Sequence, residues 1–326
     1  MKKPLLYAVL LPATCLIIFW YSLCTSVVSQ PNGYVYYLRP NLSKKTLISE
    51  LAQQGVLTHP WLFSLYIYPQ KKAQLKTAEY VFPPGSTPRS IWRQVTTGTG
   101  VLYHTFTIIP GWSFNQLRQA LAQAQSMQHL TASLTDLEIM ERLGQPALSP
   151  EGEFFAESYY YTRDTQDLVI LKRAFILMQK KLEEIWQMRS PGLPYHKAYD
   201  ALIAASLIEK EAYLDTERPI IAGVLINRLN KGMLLQFDPT VIYGLGTRYD
   251  GKIHKKDLQE NTLYNTYLHK GLPPTPIAVP GWSSLEAAVK PQQHGYYYFV
   301  AKGDGSHQFS ETLVDHNVAV KQAANK

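Results

Sequence analysis

The chain opens with an almost uninterrupted apolar run from Leu5 to Val28, and no charged residue follows it before Arg39. A run of that length suffices to span a bilayer, which takes about 20 residues. Lysines at positions 2 and 3 in front of the run, with none just behind it, predict an N-terminus inside and the rest of the chain outside. A cleaved signal peptide is the other reading. It is disfavoured because the run exceeds the usual apolar core and because Trp20, Tyr21 and Leu23 leave no small-x-small cleavage site. Beyond the polar stretch Ser29 to Gly33 the period changes. Tyr34 to Leu38 alternates as a strand does, and Leu47, Ile48, Leu51 and Ala52 recur at helical spacing before Gly55. The scheme repeats with a strand at Tyr80 to Phe82 and a helix around Ile91 to Val95 that Gly98 ends. Two strands and two helices in about seventy residues predict a small α+β module.

A long helix is predicted from Leu168 to about Met188, followed by the turn-rich stretch RSPGLPYHKAYD. From about residue 196 the pattern gives a pair of helices, then the Gly- and Pro-rich loops DPTVIYGLGTRYDGK and GLPPTPIAVPGW, and finally two strands about a Gly-Asp-Gly turn. The expected fold class is α+β. Its parts are a cytoplasmic stub with a single N-terminal transmembrane helix over residues 1–30, the small module over 31–105, a connecting helical region over 106–195, and a mixed α/β domain over 196–326. The tetrapeptide Pro-Gly-Trp-Ser occurs twice, at 110–113 and 280–283. Each copy is expected to start a helix through a capping box, Ser113 with Gln116 and Ser283 with Glu286.

Composition narrows the function. With 46% hydrophobic and 17% charged residues the chain can bury a core. The net charge of +7 comes from scattered lysine pairs with no basic stripe, so nucleic acid is not an expected partner, whereas an anionic polysaccharide or a membrane surface is compatible. Both cysteines, Cys15 and Cys24, fall inside the apolar run, which leaves the presumed external part without thiol or disulfide. His-Glu-x-x-His, zinc-spaced histidines, a Gly-x-Ser-x-Gly elbow and a phosphate-binding glycine loop are all missing, so neither metal nor cofactor is expected.

The candidate chemistry lies in ASLIEKEAYLDTERPIIAGVLINRL, residues 205–229. With Leu207 placed at 0° and an advance of roughly 100° per residue, Ile203, Ala204, Leu207 and Ile208 form a broad apolar face. Glu211 falls on that face near about 40°, and Glu209 on the opposite side near about 200°. A carboxyl on an apolar face is desolvated and its pKa rises, which suits a general acid. Glu211 is therefore the candidate acid and Glu209 a structural or surface carboxylate. On the residues alone, Glu211 is also open to an ion pair with Arg218 or Lys210, or to solvent at a frayed helix end. Asp215 as N-cap and Pro219 in the first turn fit a tight hairpin into a second helix. The later loops add Gln236, Asp238, Thr240, Tyr243, Tyr264, Asn265, Thr266 and Tyr267, a polar and aromatic set that suits sugars.

The run SLIEKE, followed by ERPIIAGVLINRLNKGMLLQFDPTVIYGLG, YNTYLHKGLPPTPIAVPGWSSLEAAVKP and YYYFVAKGDGSHQFS, closely resembles the MltG/YceG-like family of membrane-anchored endolytic murein transglycosylases. The resemblance is dense over about residues 203–310 and looser over 34–100. It implies a LysM-like character for the small module, Glu211 as the catalytic glutamate, and Gln236, Asp238, Thr240, Tyr264, Asn265 and Thr266 along a glycan cleft. It implies cleavage of the β-1,4 bond between N-acetylmuramic acid and N-acetylglucosamine in peptidoglycan, giving 1,6-anhydro ends without consuming water. Hydrolysis with Asp238 as second carboxylate, and a membrane-tethered glycan binder without activity, are the alternatives. The family pattern implies an inner-membrane protein whose catalytic domain lies in the periplasm and cuts nascent strands beside a peptidoglycan synthase, a penicillin-binding protein. One departure is EGEFFAESYY, where Ala156, Glu157 and Ser158 replace the family's usual residues and Glu157 preserves the acid; Glu157 and Glu209 are counted with the expected substrate-binding residues.

Overall fold

The computed structural model describes residues 3–324, with side chains over 10–323, so Met1 and Lys2 of the expected stub lie outside the described residues. Helices predominate, with short two-stranded sheets between them, which is a mixed α and β architecture. The chain divides into two compact units, one running through His104 and including Tyr160–Thr165, the other made of Thr105–Tyr159 and the residues from Gln166 on.

In the first unit, α1 spans Lys3–Cys24 and carries Pro12. Among the described residues no helix is long and apolar enough to cross a membrane. The apolar run read as one span divides by environment. Leu10, Leu11, Leu16, Ile17 and Ile18 are exposed, whereas Leu23 and Val28 are buried in the core of the small unit. The stretch after α1 is not a free linker either, because Val27 N–H donates to Ser86 O (2.8 Å) and Gly85 N–H to Val28 O (2.9 Å). Strand β1 (Tyr34–Leu38) pairs antiparallel with β2 (Ala78–Phe82), Tyr36 opposite Tyr80. Their inward residues Tyr36, Leu38, Tyr80 and Phe82 meet α2 (Lys44–Gln53) and α4 (Pro88–Thr97) in one core. Helix α4 starts on a Thr87–Ser90 capping box and stops at Gly98, whose φ of 79° is the left-handed conformation that glycine adopts at least cost. A further helix, α3 (Pro60–Ile67), was not expected, because PWLFSLYI has no polar face for a helical period to reveal.

The second unit is built around α8 (Ala198–Glu211), whose residues from Ala201 to Ile208 are all buried. Around this axis pack α7 (Asp167–Gln187), α9 (Arg218–Asn230), α10 (Asp238–Leu245) and α11 (Trp282–Val289), which together form the main apolar core. Helix α10 replaces an expected loop. Asp238 and Pro239 suit a first turn, and Val241 and Leu245, four apart, supply its buried side. Helix α9 begins with Arg218 after a 3₁₀ turn over Asp215–Glu217, so Asp215 does not cap it; instead its carboxylate accepts from Arg218 Nε (2.7 Å). Strands β3 (Tyr298–Ala301) and β4 (His307–Ser310) form the expected hairpin, with Val300 opposite Gln308.

The two Pro-Gly-Trp-Ser copies lie side by side: Gly111 N–H donates to Val279 O (2.8 Å) and Val279 N–H to Trp112 O (2.7 Å). The first copy starts α5 (Phe114–Gln123) through the expected Ser113–Gln116 capping box. The second does not use Ser283. Helix α11 already begins at Trp282 with Gly281 as its N-cap, and a buried carboxylate from α8 takes the place of a capping side chain.

Candidate active site

The last three residues of α8 meet three different surroundings, two of the side chains bonding to partners and one to none. Glu209 Oε2 accepts from Gly281 N–H (2.9 Å) and from Ser284 Oγ (2.7 Å), and it lies 3.2 Å from Arg218 Nη1. A carboxylate at the start of α11 also meets the positive end of that helix dipole. Lys210 Nζ donates to Gly111 O (3.2 Å). Each Pro-Gly-Trp-Ser segment therefore holds one residue of the helix tip. Arg218 and Lys210, the two cations that could have paired with Glu211, are engaged elsewhere, and among the described residues the Glu211 carboxyl makes no hydrogen bond.

Glu211 is half-buried. Burial first, and the nearby Asp238 carboxylate second, push its pKa up to about 7, with the Arg228 guanidinium pulling in the opposite direction. Asp238 is exposed at the first position of α10 and accepts from Tyr267 Oη (2.5 Å). Arg228 is buried on α9. It donates through Nε to Tyr297 O (2.6 Å) and through Nη1 to Leu235 O, and its guanidinium lies 5.5 Å from the Tyr298 ring centroid. It thus ties the hairpin that begins at Tyr298 to the loop before α10, with Glu211 in its field. The result is one desolvated acid, one ionisable neighbour and one cation, an arrangement that can give a proton and take it back.

The other expected site residues divide into two groups. Gln236, two positions before Asp238, is exposed, and Tyr264 is half-buried against Tyr243. Gln236 has a φ of 53°, a left-handed conformation that a non-glycine residue adopts only where the surroundings impose it. What imposes it is the second group. Thr240 and Thr266 are buried, share a hydrogen bond (2.9 Å), and bind Phe237 N–H through Thr266 Oγ1 (3.0 Å), while Gln236 N–H donates to Thr266 O (3.0 Å). Asn265 is 1% exposed and spends its amide on Leu258 O (3.1 Å) and Glu260 O (2.8 Å). These three side chains are buried and engaged in holding the loops, and the Glu209 carboxylate is likewise buried and bonded. Glu157 is exposed, its carboxylate accepting from the neighbouring Ser158 N–H (3.1 Å). It is bonded to none of Glu211, Asp238 and Tyr267.

Sequence reading passed over two buried carboxyls in the same EGEFF segment. Glu151 Oε1 accepts from Phe114 N–H (2.9 Å) and Oε2 from Tyr243 Oη (3.1 Å), and burial pushes it up to about 7. Glu153 is 0% exposed, accepts from Gln179 Nε2 (2.8 Å), and is pushed by burial up to about 8. Two glutamates flanking a glycine and running directly into Phe154 and Phe155 were the available sign that the segment enters a core. Among the described residues no group of three His, Cys, Asp or Glu side chains is placed to hold a metal ion.

Known proteins resemble this chain over most of its length. An endolytic murein transglycosylase from Bacillus subtilis is 30% identical over 295 residues, covering 85% of this chain and 81% of that protein. One from Streptococcus pneumoniae is 24% identical over 310 residues, of which this chain spans only 55% of the length. The crystal structure of a YceG-like protein from Listeria monocytogenes superposes with a TM-score of 0.55 at 27% identity, covering 88% of this chain and 98% of that one. The model of the YceG-like family matches residues 36–322, and with that span the chain belongs to the YceG-like family.

Proposed function

We propose that this protein is an endolytic lytic transglycosylase of peptidoglycan. What supports it most is the state of Glu211: a half-buried carboxyl at a doubly held helix tip, with a pKa near 7, so that both its protonated and its ionised forms are populated near neutrality. Glu211 gives its proton to the glycosidic oxygen as the bond from that oxygen to C1 of N-acetylmuramic acid breaks through an oxocarbenium-like transition state. The C6 hydroxyl of the same sugar then attacks C1 and returns its proton to the Glu211 carboxylate. One carbon–oxygen bond replaces another, no water is consumed, and the product is a 1,6-anhydro end. Gln236, Asp238 and Tyr264 bind the strand on this reading, with the tyrosine rings offering a face for sugar stacking.

The Asp238 carboxylate close enough to raise Glu211 supports a second reading, hydrolysis by a carboxylate pair. Mass analysis of fragments released from purified peptidoglycan by the wild type and by Glu211→Gln separates them. Internal fragments ending in anhydromuramic acid and absent with the variant are expected. Reducing ends would assign the reaction to water, and no fragments at all would leave a binding protein.

The location follows the same reading. The exposed apolar side chains of α1 anchor the chain in the cytoplasmic membrane with the active unit in the periplasm, and the small first unit is the LysM-like module that grips glycan. Tethered in this way, the enzyme reaches strands near the outer face of that membrane, beside a peptidoglycan synthase, and limits their length. If a soluble form fully replaces the tethered one in cells, that account of the tether is wrong.

A further inference from the structure

A cleft of about 890 Å³ in the second unit is used by none of the chemistry above. Its size is that of a ligand site. Lys210 and Pro239, the chain neighbours of Glu211 and Asp238, line it, while those two carboxyls themselves are not part of its lining. Its floor is the buried Glu151, fixed from two sides by Phe114 N–H and Tyr243 Oη. The backbone there is committed to this shape. Gly152 has a φ of 76°, and a Cβ on it would fall 2.5 Å from Pro276 Cβ and 3.1 Å from Ala278 O. The Tyr243 ring meets that of Tyr264 at 4.6 Å and 61°, and Tyr264 Oη in turn bonds Thr275 Oγ1 (2.9 Å). A continuous chain of polar and aromatic contacts thus leads from the cleft floor to a residue of the proposed glycan site.

We propose that this cleft is a sugar subsite, taking one N-acetylhexosamine ring of the strand away from the scissile bond; the proposal rests on the transglycosylase reading. The half-buried rings of Tyr243 and Tyr249 offer apolar faces, and Asn115 and Gln116 on α5 offer amides, which together suit a ring with hydroxyls and an acetamido group. Glu151 suits the same neutral ligand, because its burial favours the protonated form, which can donate to a carbonyl or hydroxyl oxygen. The acidic stem peptide fits poorly. The cleft's remaining carboxylate, Asp136, is bonded to Arg118 Nη1 (2.6 Å), and its one lysine, Lys210, is already bonded to Gly111 O. Lys210 is the single cation of the lining, set against the carboxyls of Asp136 and Glu151, so the cleft offers an acidic peptide little charge complementarity.

The test is strand-length preference, measured on the full chain in detergent with peptide-free glycan strands of defined length. Asn115→Ala and Tyr249→Ala are the variants, because Asn115 is exposed, Tyr249 is half-buried and neither belongs to the main core, so both should fold. The ratio of kcat/KM on long strands to that on the shortest strand cut should fall about two- to tenfold in Tyr249→Ala, the range of a lost aromatic contact, and less in Asn115→Ala. An unchanged ratio in both variants overturns the proposal. So does a ratio that falls only with peptide-bearing strands, which would give the cleft to the stem peptide. Failure of the underlying reading looks different, since the wild type itself would then release no anhydro ends.

Discussion

At the residue scale, the proposed chemistry depends on three adjacent side chains being treated differently by what surrounds them. Glu209 and Lys210 are spent on holding the helix tip, and Glu211 is left unbonded. Replacing Glu211 with Gln removes the proton donor while keeping its shape, so turnover should fall about 10²–10⁴-fold with thermal stability retained, as a fragment assay beside a melting curve will show. The Asp238 charge helps to raise Glu211, so Asp238→Asn should move the alkaline limb of the kcat/KM profile to lower pH. Stability carries the same sign. Glu151, Glu153 and Glu211 are raised from 4.5 to about 7, 8 and 7, so the folded chain keeps protons that the unfolded chain releases. Their contribution is complete below the ordinary carboxylate value and is lost as pH rises through 7 and 8. Melting temperature should therefore decline between pH 5 and pH 8.5, and Glu153→Gln, which cannot ionise, should flatten that decline. The position of Glu211 could be read from the sequence because a helical wheel needs only local spacing. The partners of Glu209 could not, since they lie at Gly281 and Ser284, more than seventy residues further on, and nothing in the local pattern announces them.

At the element scale, loops are held by a few buried polar knots. Thr266 supplies the acceptor for Phe237 N–H and the partner of Thr240, and these bonds keep Gln236 and Asp238 in place. Thr266→Val keeps the volume but leaves that buried N–H without a partner. It should cost roughly 1–3 kcal/mol in urea unfolding and, if the loop is displaced, should lower kcat as well. Gly152→Ala should be at least as costly, because it meets both the positive φ and the Pro276 side chain. Strands and amphipathic helices were readable from their periods. The helix at Asp238 was not, because Pro and Gly at its ends resemble loop punctuation, and α3 was not, because its apolar residues go all the way round. The second Pro-Gly-Trp-Ser repeats the sequence of the first, yet starts its helix differently. Capping there is decided by Glu209, a tertiary partner, whereas sequence reading can see only neighbours along the chain.

At the scale of the whole molecule, the apolar N-terminal run serves two environments. Its exposed part suits an anchor, but Leu23 and Val28 complete the core of the small unit. A chain begun at residue 31 loses both side chains, each worth about 1.5–3 kcal/mol of burial. Amide exchange in β2 and α4 should then be faster than in a chain that retains residues 20–30. The same feature decides what a cut in this region would achieve. Ser29 and Gln30 are exposed and open to a peptidase, but severing the chain there would not by itself separate the two pieces. The severed N-terminal piece would stay docked through Leu23, Val28 and the backbone bonds to Ser86 and Gly85, so release would have to wait for the small unit to open.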